Sequence, residues 1–200
     1  MRCSKEDAAF TKEKLLSSAY RLFSTKGFEN TTLADIAQEA GYTRGAVYWH
    51  FQDKSDLLNQ LVIQIMQELK DCQTLAFSGS GTSPMECLLG FSKYPADIQE
   101  KAFFVNRLYW LLNTQPEYSA FAENVRAHKR VLYNRIRQIL DSIERDPRYE
   151  LLGDKEAIVK VIFMMFESTY AINSYQALDH PLSYEDFRQV LALFIKEHTD

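Results

Sequence analysis

Two hundred residues, 46% hydrophobic and 25% charged, suffice for one large or two small domains with a real core. No apolar run reaches the roughly 18 to 20 residues of a membrane span. The charged start Met1-Arg2-Cys3-Ser4-Lys5-Glu6-Asp7 lacks a secretory stretch, and Cys3, Cys72 and Cys87 show neither disulfide nor metal spacing. A cytoplasmic protein without metal or cofactor is expected. The net charge of −4 comes entirely from residues 61–200, since residues 1–60 balance eight Lys/Arg against eight Asp/Glu. That excludes binding to nucleic acid by bulk positive charge, so any DNA contact must rest on a few placed groups.

Apolar residues recur at i, i+3, i+4 almost throughout, which predicts an all-α chain of about nine helices. In chain order, Leu15, Ala19, Leu22 and Phe23 stripe a helix over 11–26 that Gly27 closes. Leu33, Ile36, Ala37 and Ala40 stripe a second over 33–40, opened by the pair Thr32 and Asp35 and stopped by Gly41. A short helix over 43–50 follows, and Asp53 with Asp56 opens a long one over 54–75. Phe77-Ser78-Gly79-Ser80-Gly81-Thr82 reads as a flexible connector. Ser83-Pro84-Met85-Glu86 supplies a cap, a proline at the first helical position and a closing glutamate. Helices are expected near 84–93, 97–113, 116–144, 155–177 and 184–197, punctuated by Pro95, Pro116, Pro147 and Pro181. This divides the chain into an N-terminal unit over 1–53, a connecting helix over 54–77 and a helical domain over 83–200.

Helix 33–40, the turn Gly41-Tyr42 and helix 43–50 form a compact pair. Ala37 and Ala40 allow close approach, Gly41 accepts the left-handed turn, and Val47 and Phe51 face inward. Thr43, Arg44, Gly45 and Tyr48 are left on the outer face, where a recognition helix reads the major groove. Arg44 can grip guanine with two bonds, Thr43 can meet a phosphate or a thymine methyl, and Gly45 lets the backbone approach. Thr32 and Lys54 start helices, whose free amides favour phosphate, with Tyr48 and His50 on the flanks. A helical hairpin also occurs in all-α proteins that never touch DNA, and the pattern alone leaves both readings open.

The wording of residues 11–16, 23–28, 31–41 and 43–58 resembles the DNA-binding domain of the TetR family of repressors. Arg44-Gly45-Ala46-Val47-Tyr48-Trp49-His50-Phe51 is similar to the subgroup that governs multidrug efflux. The resemblance implies that Thr43, Arg44, Gly45 and Tyr48 face the groove or its flanking phosphates. Thr32, His50 and Lys54 would hold the backbone, and Trp49 would touch DNA, pack, or both. The N-terminal arm departs from a basic pattern, because Arg2 and Lys5 are offset by Glu6 and Asp7. The family further implies a homodimer formed by the last two helices, operator DNA as partner, and release by a small-molecule inducer.

In the second domain, helix 155–177 gathers Ile158, Val159 and the run Val161 to Phe166, as expected of a helix covered twice: by a mate in a dimer, or by the centre of a monomeric bundle. Ligand candidates are Phe91, Phe103, Arg107, Trp110, His128, Phe163, Glu167 and Tyr170, an aromatic set with an acid that suits lipophilic cations. Glu167 can instead pair with a buried arginine such as Arg107, and His128 can hydrogen-bond within the core. A regulator that binds DNA without a ligand is a second reading. A helical enzyme using His128, Glu167 and Asp97 is a third, but no catalytic order, metal spacing or phosphate loop supports it.

Overall fold

The computed structural model describes residues 5–77, 83–90, 94–174 and 183–198, and only the backbone of 75–77 and 169–174. The expected connector at 78–82, together with Phe91, Pro181 and the Tyr170 side chain, lies outside the described residues. The elements are α1 (Lys5–Thr25), α2 (Leu33–Ala40), α3 (Arg44–His50), α4 (Lys54–Phe77), α5 (Pro84–Leu89) and α6 (Ala96–Leu112). A 3₁₀ turn (Pro116–Tyr118) leads into α7 (Ser119–Arg145), then β1 (Tyr149–Leu151), α8 (Lys155–Ser174), α9 (Tyr184–Leu191) and β2 (Ile195–Glu197). The chain is all-α as expected, with a two-stranded ribbon added. It forms two compact units: residues 1–65 with 104–125, and residues 66–103 with 126–200.

In the first unit the α1 stripe buries Leu15, Ala19 and Phe23, and α2 buries Ile36 and Ala37. Phe23, Phe28 and Tyr118 form an edge-to-face chain, with ring centres 4.9 Å and 5.4 Å apart. Thr31 is buried, and its hydroxyl donates to the Gly27 carbonyl at 2.8 Å. The Lys54 ammonium donates to the Phe28 carbonyl at 2.5 Å and lies 4.2 Å from the Phe28 ring centre. The start of α4 is also tied to the 116–124 stretch: Ser55 donates to the Glu117 carbonyl at 2.6 Å, and Asn124 donates to Asn59 at 2.8 Å.

The second unit is centred on α7 and α8. Leu132, Ile136, Ile139 and Ile143 of α7 are buried, as are Ile158, Val159, Ile162 and Phe166 of α8. Contacts between the two helices step in opposite senses: Lys129 pairs with Glu167, Tyr133 packs on Phe163, and Asp141 pairs with Lys155. That is antiparallel packing. On α9, Phe187 stacks on Phe166 with centres 5.9 Å apart, and Tyr184 donates to Glu86 of α5 at 2.5 Å.

One expectation needs correction. The last helix ends at Leu191, not at 197. A turn at 192–194 follows, closed by Leu193 N–H on Val190 and Phe194 N–H on Leu191. Residues 195–197 then pair antiparallel with 149–151, Leu151 opposite Ile195 and Tyr149 opposite Glu197. The apolar spacing from Phe187 to Phe194 suits a helix, but the strand buries Ile195 and satisfies the backbone after α7, with Leu152 donating to Phe194 and His198 to Arg148, each at 2.8 Å.

Candidate nucleic-acid interface

Helices α2 and α3 owe their ends to local chemistry. Thr32 caps α2 in a closed box: its hydroxyl accepts from Asp35 N–H at 3.1 Å, and the Asp35 carboxylate accepts from Thr32 N–H at 2.7 Å. These bonds, with Lys26 3.0 Å away, hold the Asp35 carboxyl down at about 2. Gly41 ends α2 at φ 76°, where Tyr42 N–H reaches back to the Ala37 carbonyl at 2.9 Å. Thr43 caps α3, its hydroxyl accepting from Ala46 N–H at 3.3 Å.

Along α3 the outward face separates cleanly from the inward one. Val47 is wholly buried and Phe51, just beyond the helix, is 1% exposed. Thr43, Arg44, Gly45, Tyr48 and Trp49 are exposed, and His50 is half-buried. The structure therefore brings these six together on one short helix. Arg44 donates to the Tyr48 hydroxyl at 3.0 Å and lies over its ring, so guanidinium and phenol stand as one unit. A Cβ at Gly45 would meet only the Thr43 hydroxyl at 3.7 Å, so glycine there keeps the surface low without being sterically required. Trp49 is 69% exposed, its ring edge-on to His50 with centres 4.5 Å apart.

Two residues behave differently from a simple phosphate grip. The Lys54 side chain, expected at the backbone of DNA, turns inward to Phe28, and burial pushes its pKa down. Only its place at the start of α4 faces outward, beside the Asp53 cap, whose carboxylate accepts from Asp56 N–H at 2.8 Å. His50 has its pKa lowered by burial first and by the Lys12 ammonium second, so at neutral pH it offers a neutral imidazole. Lys12 itself went unnoticed in the sequence. Its position, about one turn before the first buried residues of α1, gave no signal that it would lie near α3.

The ligand candidates are dispersed. Arg107 and Trp110 belong to the first unit and are exposed, whereas Phe103, His128, Phe163 and Glu167 belong to the second. Glu167 pairs with Lys129, not with Arg107. Burial, and then Lys129, lowers the pKa of His128. Lys129 and Tyr133 were missed. They stand one turn apart on α7, opposite Glu167 and Phe163 one turn apart on α8, a register that becomes legible only once the antiparallel pairing is known.

A capped pair of helices presenting one polar, aromatic face has the form of a helix-turn-helix. Residues 15–61 match the bacterial regulatory proteins of the tetR family. The transcriptional regulator AcrR of Shigella flexneri is 50% identical over 60 residues, which cover 30% of this chain and 28% of that protein. The regulator TtgR of Pseudomonas putida is 36% identical over 88 residues, 44% and 42% of the two chains. The repressor BepR of Brucella suis is 44% identical over 62 residues, 31% and 30%. The similarity thus spans less than half the length of these relatives. The resemblance read from residues 11–58 is borne out, in family and in subgroup. Across nearly the whole chain the fold is shared with a transcriptional regulator of Saccharomonospora viridis, at TM-score 0.73 and 17% identity, covering 92% and 94% of the two chains. The regulator KstR2 of Mycobacterium tuberculosis shares it at TM-score 0.63 and 20% identity, covering 91% of each.

Proposed function

We propose that this chain is a DNA-binding transcriptional repressor that acts as a homodimer and leaves its operator when a small lipophilic molecule binds the second unit. The observation that carries it is the outer face of α3, where Thr43, Arg44, Gly45, Tyr48 and Trp49 are exposed together while Val47 is wholly buried. Arg44 and Tyr48 read base edges and flanking phosphates, Gly45 lets the backbone near, and Thr43 and His50 add contacts on the flanks. The start of α2 behind the Thr32 cap and the start of α4 at Lys54 offer backbone amides to phosphate; the Thr32 N–H and the Lys54 ammonium serve the fold. The similarity to AcrR, TtgR and BepR supports an efflux or detoxification gene as the target.

Dimerisation through α8 and α9 is supported by Val161 and Met164, apolar side chains of α8 that remain 36% and 66% exposed. A mate would cover them. In the second unit, Phe103, His128, Phe163 and Glu167 are the ligand-facing set; the candidates Phe91 and the Tyr170 side chain lie outside the described residues. A cationic inducer would take Glu167 from Lys129, exchanging one cation for another in an aromatic setting. Binding would shift the dimer towards a spacing of recognition helices that no longer fits successive major grooves, about 34 to 36 Å apart.

The test is binding of the purified protein to its own upstream intergenic DNA at fixed salt. Sequence-specific binding that is lost in Arg44→Ala and Tyr48→Ala supports the reading. Binding no tighter than to random DNA, from this and every genomic fragment in a pull-down, overturns it.

A further inference from the structure

Between the loop after α1 and the second half of α6, both in the first unit, lies an open groove of about 510 Å³. Its floor is buried Phe28 and Leu108, and its wall is Trp110 and Leu111, which are 77% and 49% exposed. Glu29 and Arg107 stand at its rim. The volume lies within the roughly 300 to 1,000 Å³ of small-molecule sites. An indole left mostly in water beside a concavity is apolar surface without a partner.

The rim decides what would fit. Glu29 faces a cation of its own fold, since its charge supports the Lys54 ammonium that is anchored on the Phe28 carbonyl. Arg107 is different. Among the described residues its guanidinium makes no ion pair and no hydrogen bond. A free planar fork with a bare indole one turn further along the same helix is complementary to a flat ring that carries a carboxylate.

We propose that this groove binds a planar aromatic anion, its ring laid on Trp110 and its carboxylate held by Arg107. The site is separate from the second-unit set above and does not rest on it. The loop that floors the groove runs through Thr31 into the Thr32 cap, so an occupant would sit a few residues from the start of α2.

The chain has two tryptophans, Trp49 and Trp110, so its indole N–H signals in a ¹⁵N spectrum are two, assigned with Trp49→Phe. Titrating 2-naphthoate into the full chain is expected to shift the Trp110 signal saturably and leave Trp49 in place. Arg107→Gln, at an exposed position that the fold does not need, should weaken binding by about tenfold through loss of a charge-assisted pair. The uncharged methyl ester of the probe should be weakened likewise. A Trp110 signal that does not move, undiminished affinity in Arg107→Gln, or equal binding of the ester would each overturn the proposal. So would a change of sedimentation coefficient in Trp110→Ala with no probe bound, which would make the surface a protein interface.

Discussion

Helices α3 and α8 both expose large side chains, and they do so for opposite partners. On α3 the exposed Tyr48 and Trp49 stand among Thr43, Arg44 and His50, every one with a hydrogen-bonding group to offer. On α8 the exposed Val161 and Met164 have none, although the exposed Lys160 stands beside Val161. The first surface is ready for a charged, hydrated ligand such as DNA. The second is ready only for another apolar face. What a helix leaves uncovered therefore tells as much about its task as what it buries.

The sharpest way to break this comparison is to place the same charge on each helix. Val47→Asp puts a carboxylate at a position with no exposure at all, and should cost about 4 kcal/mol or more. Cooperative melting of the N-terminal unit would be lost, and operator binding with it. Met164→Asp, at a position 66% exposed, should leave far-UV circular dichroism unchanged while splitting dimers in sedimentation. If Met164→Asp melts the protein instead, the α8 face is needed within one chain and not between two.

The next effect in size concerns DNA. Arg44→Ala should cost about 1–3 kcal/mol and relax preference at one base position, whereas Lys12→Ala should weaken all sequences alike and lower the salt slope by about one. Titration in parallel at several salt concentrations separates the two. Equal losses on operator and random DNA in Arg44→Ala would reduce that residue to a phosphate contact.

The two regions also differ in how far they could be read. Helices α1 to α3 were legible because their signals are local: the Thr32–Asp35 box, Gly41, and the 3.6-residue stripe that buries Leu15, Ala19 and Phe23. The inward Lys54 was not, since it answers to a carbonyl 26 residues away, brought near by tertiary folding. In the second unit Ser83 and Pro84 marked α5 correctly, with Ser83 accepting from Glu86 N–H at 3.2 Å. The ribbon of 149–151 and 195–197 stayed hidden because three-residue strands carry too little alternation, and because pairing across more than forty residues leaves no local trace. The Glu167 partner was misread for the same reason: it depends on the register of α7 against α8.

The Glu167–Lys129 pair allows a test of intermediate size. Glu167→Gln should weaken a cationic inducer more than a neutral one of similar shape, by about tenfold relative to it, measured as ligand-dependent release from operator. Equal effects on both compounds would assign the pair to structure alone.

The smallest expected effect is the acid response of α2. Asp35 is held at about 2 against an ordinary 3.8, first by the Thr32 backbone N–H and then by Lys26 and the Thr32 hydroxyl. Because the folded value is depressed, the carboxylate stabilises the fold fully above the ordinary value. That contribution fades as pH falls from about 4 to about 2. Asp35→Asn replaces the charged acceptor of the Thr32 N–H by a neutral amide oxygen, weakening the bond and removing its pH dependence. The melting temperature of the variant should therefore be lower at pH 6 and should converge on the parent towards pH 2. A constant offset between parent and variant across that window would mean that the Thr32–Asp35 box acts through shape and not through charge.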